Sequence, residues 1–336
     1  MYHEYFHGTH YEIGFRWGAL LAERGNFILD HIGFPITPER AAFSDSCIPV
    51  YQAYFPEILE EIRGISDGQG CDIKALQAFL FSMYAMPPAC HCSCLAVSNG
   101  RQILFGRNSD FLTELETSNM NVIYGFTSSG YSFTGNTTAF VQMEDGVNEH
   151  GLAVGLTSVQ PVSIRPGMNA GLLLRFFLET CKTTREVLER IQNIPISSAQ
   201  TFTIADAAGE IVVVECCSDG AAFLRPSDRQ PYVCAVNQYH AAAMEPFRSP
   251  GIDDWQAGAR YETLVKALDR FAGEMTVGNA ADILSGRHGF LCQYDRKAGR
   301  DTVWSVIYDL KKKVIFRVGG NPSRHAFQQD SRFRIL

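Results

Sequence analysis

The sequence lacks a long hydrophobic run. No stretch of eighteen apolar residues occurs, so no transmembrane helix and no membrane partner are expected. Residues 1–5 have neither the basic nor the apolar stretch of a signal peptide. Linker-like Pro, Ser or Gly segments, low-complexity stretches and internal repeats are also missing. These features predict a globular protein of the cytoplasm.

Charge is scarce as well. Charged residues make up 19% of the 336 residues, and the formal net charge is −7. An acidic balance argues against nucleic acid or an anionic membrane as the main partner. Hydrophobic residues reach 46%, which is enough for a sizeable core in one large domain or two smaller ones. No cofactor is expected.

Ten cysteines are too few for a disulfide scaffold of this length. Most of them lie inside apolar runs, as do Cys181, Cys216, Cys217 and Cys234. Cysteines in such runs usually act as small buried hydrophobic residues, and they stay reduced in a reducing compartment. One cluster differs, because Cys90, Cys92 and Cys94 stand at alternate positions and would share one face of a strand.

The first ninety residues have a helical pattern. Ile13, Trp17 and Leu20 recur at helical spacing, and Gly14 and Gly18 would form a small face for close packing. Pro56 suits a first helical position, and a third helix from residue 73 would stop at Pro87-Pro88. These patterns predict three helices before the cysteine cluster.

Strand patterns begin at Cys90. Asn99-Gly100 separates two apolar runs, which is a strong signal for a β-hairpin. Further along the chain, the pattern predicts strands at 151–157, 201–205, 210–215, 302–308 and 314–318, and helices at 172–181, from 183, and around 261–268. Segregated runs of strands and helices favour an α+β fold, in which helices cover two antiparallel sheets.

The cysteine cluster allows three interpretations: small buried residues, a metal site that includes His91, or a catalytic nucleophile. The spacing C-x-C-x-C differs from the C-x2-C of zinc sites, and no second His/Cys pair follows at finger spacing. We therefore expect no metal. A buried cysteine and a nucleophile remain as the two alternatives from the residues alone.

The local sequence is more specific. Residues 92–97 (CSCLAV), followed by a turn and by residues 104–110 (LFGRNSD), resemble the start of the mature choloylglycine hydrolase and penicillin V acylase family. The chain also resembles the acyl-CoA:6-aminopenicillanic acid acyltransferases, which carry a helical segment before the cysteine. Further similar stretches occur in order at 145–154, 204–215, 236–239, 259–261 and 302–306.

This resemblance implies an N-terminal nucleophile (Ntn) hydrolase with a four-layer αββα sandwich. Residues 1–91 would be a helical pre-segment that is open to cleavage and remains associated, and residues 92–336 would be the catalytic domain. Cleavage before Cys92 would free an α-amino group, which titrates near about 7.7–8.0 and can serve as the base for the thiol.

The resemblance also implies a set of site residues. Cys92 would be the nucleophile, Arg107 would favour its thiolate, and Asp110 would orient or retain the proton of the new amino group. Asn237 would be the oxyanion donor, and Arg260 matches a family arginine, with Arg287 as a competing candidate. Cys90 and Cys94 are alternative nucleophiles; the spacing to Asp110 favours Cys92.

Two residues depart from the family patterns. Thr157 stands where bile-salt hydrolases have Asn and penicillin V acylases have Tyr, so neither of those substrates is expected. His91 stands where the acyltransferases usually have Gly, and a bulkier residue there is expected to slow self-cleavage.

The function that follows is hydrolysis or acyl transfer on a non-peptide linear amide C–N bond, through an acyl-enzyme on Cys92. The partner would be a small-molecule amide or acyl donor, and homo-oligomerisation is left open. One alternative is an uncleaved, catalytically inactive or weak Ntn-fold binding protein. Another is a papain-like Cys–His enzyme that uses His240 or His288, although the C-G-S-C-W type of signature is missing.

Overall fold

The computed structural model describes residues 1–86 and 91–336. Its first part contains strand β1 (Tyr2–Gly8) and four α-helices, which are α1 (His10–Glu23), α2 (Pro38–Tyr54), α3 (Pro56–Gln69) and α4 (Ile73–Ser82). No α-helix in these two ranges is long and apolar enough to cross a bilayer.

The second part is richer in strands. These are β2 (His91–Ser98), β3 (Ile103–Leu112), β4 (Met120–Phe126), β5 (Phe133–Thr137), β6 (Asp145–Asn148), β7 (Ala153–Val159), β8 (Ala199–Ala205), β9 (Ile211–Cys217), β10 (Gly220–Leu224), β11 (Tyr232–Ala235), β12 (Arg300–Asp309), β13 (Val314–Gly319) and β14 (Gln328–Asp330). The helices are α5 (Ala170–Thr180), α6 (Thr184–Ile191), α7 (Ala257–Phe271) and α8 (Val277–Leu284).

The strands form two sheets that pack face to face. The eight-stranded sheet has the order β1-β4-β5-β6-β7-β8-β9-β10, and the six-stranded sheet has the order β11-β2-β3-β12-β13-β14. Apolar residues from both sheets, among them Ala96, Phe105, Val147 and Val213, fill the space between them. Helix α5 covers the outer face of the larger sheet, while α7 and α8 cover the smaller one. The predicted α+β fold with four αββα layers is confirmed.

The Asn99-Gly100 signal is confirmed as the turn between β2 and β3. Gly100 has φ +80°, a backbone angle that favours glycine, and the Asn99 side chain accepts hydrogen bonds from the amides of Arg101 and Gln102. The hairpin register pairs Cys92 with Ser109 and Cys94 with Arg107. The turn therefore determines which residues of β3 lie beside the cysteines.

The first ninety residues are not wholly helical, which corrects the sequence-based expectation. Strand β1 pairs in parallel with β4 and forms an edge of the larger sheet. Only Phe6 and Gly8 of β1 are buried, so the alternation that identifies a strand is weak in its sequence. Helix α4 ends at Ser82, and the predicted stop at Pro87-Pro88 lies outside the described residues.

A buried ion network joins the N-terminal helices to α5. Arg175 of α5 donates from Nη1 to Glu61 Oε1 of α3 at 2.8 Å and from Nε to Glu179 Oε1 at 2.6 Å. Glu179 Oε2 also lies 2.8 Å from His10 Nε2 of α1. Burial raises the cost of leaving any of these charges unpaired, so the network resists separation of the N-terminal helices from the rest of the chain.

Helices α1 and α3 approach each other through glycines, as the sequence predicted for Gly14 and Gly18. A Cβ atom at Gly14 would lie 2.0 Å from the main-chain oxygen of Glu61, and one at Gly18 would lie 2.4 Å from that of Ile65. The helix backbones are thus in contact, with no room for a methyl group between them.

We expect Gly14→Ala to lower the free energy of unfolding by about 3 kcal/mol, because the methyl group meets backbone that cannot move aside cheaply. Urea unfolding of the purified chain measures the loss. Gly258→Ala in α7 is the matched control: its methyl group would meet no atom within 4 Å, and its effect should stay below about 1 kcal/mol. Equal effects of the two substitutions would contradict the close-packing argument.

Candidate active site

Cys92 lies in β2, and its side chain points into the space between the two sheets. The side chain is fully buried, and its Sγ atom accepts a hydrogen bond of 2.7 Å from Arg107 Nη2. Arg107 stands on the neighbouring strand β3, opposite Cys94 and diagonal to Cys92. A guanidinium at this distance favours the thiolate form of the cysteine.

Arg107 is itself fully buried and is held by both sheets. It donates from Nη1 to Asp145 Oδ2 at 3.0 Å, from Nη2 to Glu144 Oε2 at 3.3 Å, and from Nε to the Leu156 oxygen at 3.2 Å. Burial by itself lowers the pKa of Arg107, but the anionic form of Cys92 and the carboxylates of Asp145 and Glu144 outweigh burial and raise it. The guanidinium therefore stays charged beside the thiol.

Glu144 and Asp145 were not assigned a role from the sequence, although Asp145 begins one of the family-like stretches. Asp145 also accepts hydrogen bonds from Trp304 Nε1 at 2.9 Å and from the Tyr308 hydroxyl at 2.8 Å. Burial raises the pKa of Glu144, against the opposing effects of Arg107 and of hydrogen bonding. The raised pKa makes Glu144 a carboxylate that can accept a proton.

The main chain of Cys92 forms hydrogen bonds with the side chains of Asn237 and Arg260. The Cys92 amide donates to Asn237 Oδ1 at 2.9 Å, and the Cys92 carbonyl oxygen accepts from Arg260 Nη1 at 2.6 Å. Arg260 Nη2 also donates to Asn237 Oδ1 at 3.0 Å, while Asn237 Nδ2 donates to the Ser158 oxygen at 2.8 Å. The structure thus brings both predicted residues to the backbone of the predicted nucleophile.

Asp110 lies near the end of β3 and is fully buried. Its carboxylate accepts from the Thr302 hydroxyl at 2.6 Å and from the Tyr294 hydroxyl at 2.9 Å, and it lies 3.7 Å from Arg260 Nη1. Burial raises the pKa of Asp110 to about 6, although Arg260 and the two hydroxyls act in the opposite direction. Its charge therefore changes in mildly acidic solution.

The competing candidates lie in other settings. Arg287 is an exposed residue that pairs with Asp282 at 2.8 Å. His240 stacks on Tyr261 with ring centroids 3.6 Å apart, and burial lowers its pKa to about 4. His288 is exposed and packs on Phe271 at 4.8 Å. Of the two arginines considered from the sequence, Arg260 and Arg287, it is Arg260 that contacts the Cys92 main chain.

The remaining cysteines and Thr157 have structural contacts. Burial raises the pKa of Cys94 to about 12, which keeps it a thiol at neutral pH, and Cys90 lies outside the described residues. The Thr157 hydroxyl donates to the Val236 oxygen at 2.6 Å and lies 2.9 Å from the Thr201 hydroxyl. Thr157 thus supports the chain just before Asn237.

Within the described residues, no group of three His, Cys, Asp or Glu side chains is placed to hold a metal ion.

A cavity of about 540 Å³ opens beside Asn237. Its wall combines apolar and charged side chains, which include Val159, Tyr239, His240, Arg248, Ile252 and Asp254. A pocket of this size accommodates a small organic molecule. Its position next to the Asn237 amide makes it the candidate place for a substrate.

Two facing sheets between helical layers, with a buried cysteine near the start of a strand, give the chain the four-layer αββα arrangement of the Ntn-hydrolase fold. The model of the acyl-coenzyme A:6-aminopenicillanic acid acyl-transferase family matches residues 96–324, and the chain belongs to this family. It is therefore an enzyme of the amide hydrolase or acyltransferase class. No curated protein sequence matches the chain.

Solved structures with a similar fold include an N-acylethanolamine-hydrolyzing acid amidase ortholog of Caenorhabditis elegans, with 15% identity, TM-score 0.48, and coverage of 66% of this chain and 93% of that one. Penicillin V acylase from Agrobacterium tumefaciens has 16% identity, TM-score 0.44, and coverage of 68% and 82%. A mutant of the conjugated bile acid hydrolase from Clostridium perfringens has 15% identity, TM-score 0.47, and coverage of 73% and 98%. Likenesses of this size do not transfer a substrate.

The raised pKa of Asp110 predicts a pH-dependent cost in stability. A carboxyl group whose pKa is higher in the folded state than in the unfolded state destabilises the fold when it ionises, so the cost appears as pH rises from about 4 to above 6. With Cys92→Ala as the parent, Asp110→Asn should therefore gain about 2 kcal/mol relative to the parent between about pH 4 and pH 7.5.

Urea unfolding at each pH gives this difference. Asn108→Ala, which removes a neutral buried amide from the same strand, is the control and should show a difference that is flat with pH. If the Asp110→Asn difference is equally flat, Asp110 does not titrate near pH 6.

Proposed function

We propose that the chain cleaves its own peptide bond before Cys92, and that the released N-terminal cysteine carries the acyl group of a non-peptide linear amide. The observation that carries this proposal is the 2.7 Å contact between Cys92 Sγ and Arg107 Nη2 in a fully buried site. Two further hydrogen bonds add support, because they fix the main chain of the same residue: the Cys92 amide donates to Asn237 Oδ1, and Arg260 Nη1 donates to the Cys92 oxygen.

Self-cleavage begins with attack of Cys92 Sγ on the carbonyl carbon of His91. The thiol proton passes to Glu144, which bonds the same guanidinium nitrogen as Sγ, and then to the Cys92 nitrogen as the C–N bond breaks. The acyl group is now a thioester on Cys92. Water hydrolyses this thioester to a His91 carboxylate and restores the thiol beside a free α-amino group.

The free α-amino group then acts as the base for catalysis. It takes the thiol proton as Sγ attacks the substrate amide, and it gives that proton to the departing amine. Asn237 Oδ1, which accepts a hydrogen bond from the Cys92 nitrogen in the uncut chain, holds the amino group in place. The Asp110 carboxylate is proposed to orient it. Transfer of the acyl group to water makes the enzyme a hydrolase, and transfer to a second amine makes it an acyltransferase.

The developing oxyanion of the substrate needs hydrogen-bond donors. We assign this role to the Asn237 side-chain amide, which borders the cavity and is held by its hydrogen bond to the Ser158 oxygen. Arg260 orients this amide, because its Nη2 donates a hydrogen bond to Asn237 Oδ1. Arg260 is thus a positioning residue for both Asn237 and the Cys92 main chain.

Residues 1–91 are proposed to stay bound after the cut. Strand β1 remains paired with β4 in the larger sheet, and Glu61 and His10 remain bonded to the Arg175–Glu179 pair. Cleavage of one peptide bond removes none of these contacts. Residues 92–336 would therefore act as the catalytic part of a two-chain protein.

The proposed compartment is the cytoplasm, and the proposed partner is a small amide or acyl donor. No two cysteines in the described parts of the chain are joined by a disulfide, which suits a reducing environment. Assembly of several copies stays a prediction from the sequence.

An uncleaved binding protein is the second candidate. It is favoured by one observation: Cys92 is fully buried in the intact chain, with the bulky His91 directly before it. This protein would use the cavity beside Asn237 to hold a small molecule without turning it over. Intact mass and activity separate the two candidates.

We expect purified protein to appear by mass spectrometry as pieces of 91 and 245 residues out of 336. Cys92→Ala should stay uncut and should lose at least about a thousand-fold of the hydrolysis of a series of acyl p-nitroanilides, because it removes the attacking sulfur. Cys94→Ala, two residues along the same strand, is the matched control and should cleave and turn over like the wild type.

Cleavage that survives Cys92→Ala would refute Cys92 as the nucleophile. An uncut wild-type chain that hydrolyses no p-nitroanilide but binds small amides would instead establish the binding protein.

A further inference from the structure

The side chain of His91 lies on the opposite side of β2 from that of Cys92. Successive side chains of a strand alternate, so the Cys92 thiol points between the sheets while the His91 ring points toward the layer of α7 and α8. There the imidazole stacks on the Trp255 indole, with ring centroids 4.4 Å apart and planes inclined by 23°. Both side chains are about 95% buried, since His91 is 5% and Trp255 4% exposed. The residue before the scissile bond is thus held from the side away from the nucleophile.

Trp255 belongs to a strained turn, residues 253–256, which we call the Trp255 elbow. Trp255 has φ +52° and Gln256 has φ +59°, and two consecutive bulky residues rarely adopt this left-handed conformation. Hydrogen bonds keep the elbow in place: the Trp255 amide donates to Asp253 Oδ1 at 3.2 Å, and the Trp255 oxygen accepts from Arg260 Nε at 3.1 Å. Strain that the surroundings maintain in this way is typical of functional segments.

The elbow connects the two sides of the scissile bond. On one side, the Trp255 ring packs on His91. On the other side, Arg260, which bonds the elbow through Nε, also donates from Nη1 to the Cys92 carbonyl oxygen at 2.6 Å. One rigid unit therefore holds the residue before the bond and the residue after it.

The His91 ring acts here as a flat surface and not as an acid or a base. Neither ring nitrogen has a hydrogen-bond partner among the described residues. Burial, with a further contribution from Arg260, lowers the pKa of His91 to about 3, so the ring is neutral. Two buried ring nitrogens without partners among the described residues raise the free energy of the uncut chain, and a cut after His91 removes the covalent link that holds the ring there.

We propose that the stack of His91 on Trp255 positions the scissile carbonyl for attack by Cys92, which makes both residues positioning residues of self-cleavage. This inference rests on the proposed self-cleavage. It reverses the expectation that a bulky residue before Cys92 slows the cut. In this chain the ring is the part by which the fold holds the bond.

The test compares rates of self-cleavage during cell-free translation, read by intact mass as the loss of the 336-residue chain. His91→Phe keeps a flat ring without nitrogens and should cleave within about three-fold of the wild type. His91→Leu keeps apolar bulk, and His91→Gly keeps neither, so both should cleave at least about ten-fold more slowly. Trp255→Leu should match His91→Leu. His288→Ala, which removes a histidine from the ring of Phe271, is the control and should cleave at the wild-type rate.

Each His91 variant is also made with Cys92→Ala, and its thermal midpoint is measured, since all of these chains stay uncut. Slow cleavage of His91→Leu with an unchanged midpoint supports a positioning role. Cleavage that falls only in step with the midpoint overturns it.

Other results would overturn the inference in distinguishable ways. If the wild type cuts and His91→Gly cuts equally fast, or if His91→Phe is as slow as His91→Gly, the stack does not position the bond and self-cleavage itself stands. If the wild type stays at 336 residues, the proposed self-cleavage and the inference fall together.

Discussion

A guanidinium buried between two sheets is the constraint on which the candidate active site depends. Arg107 is supplied by the six-stranded sheet, whereas the carboxylate of Asp145 that balances its charge is supplied by the eight-stranded sheet. A buried charge without such partners is strongly unfavourable. The site therefore exists only when both sheets are packed together, and the thiol meets its cationic neighbour only in the folded sandwich.

A second buried guanidinium completes the arrangement from the helical layer. Arg107 reaches the Cys92 side chain, while Arg260 of α7 reaches its main chain and the hydroxyl of Ser93 at 3.0 Å. The two arginines approach β2 from opposite faces, as the alternation of side chains along a strand allows. Hydrogen bonds thus fix both the side chain and the main chain of Cys92, as the proposed attack on a neighbouring carbonyl requires.

The parts of this site that the sequence could predict are those encoded locally. The Asn99-Gly100 turn sets the register of β2 and β3, and with it the proximity of Cys92 and Arg107. Helix α1, with its glycine face, was also predictable, because periodicity and residue size need no knowledge of the partner. Asn237 and Arg260 came from the family resemblance, since nothing in their own surroundings distinguishes them from a turn residue and a helical arginine.

What the sequence could not show depends on contacts between distant strands. Glu144 follows β5 and reaches Arg107 only because the sheets face each other, and Tyr294 reaches Asp110 from a loop 184 residues further along the chain. Strand β1 was missed for a related reason: its pairing with β4 uses backbone atoms, and Phe6 is its one side chain in the core. Spacing along the chain does not tell which strand will lie opposite a given residue.

The energetics of the fold separate what a cut at residue 91 can change from what it cannot. Near Cys92, the His91 ring nitrogens have no hydrogen-bond partner within residues 1–86 and 91–336, and Trp255 and Gln256 are left-handed, so this region carries strain in the intact chain. Elsewhere, the N-terminal part is held by backbone pairing in the larger sheet, by the contact of α1 with α3, and by buried ion pairs on α5. These contacts do not involve the bond before Cys92. The proposed self-cleavage would thus change the surroundings of Cys92, while the sandwich that keeps Arg107 charged and buried would keep its contacts.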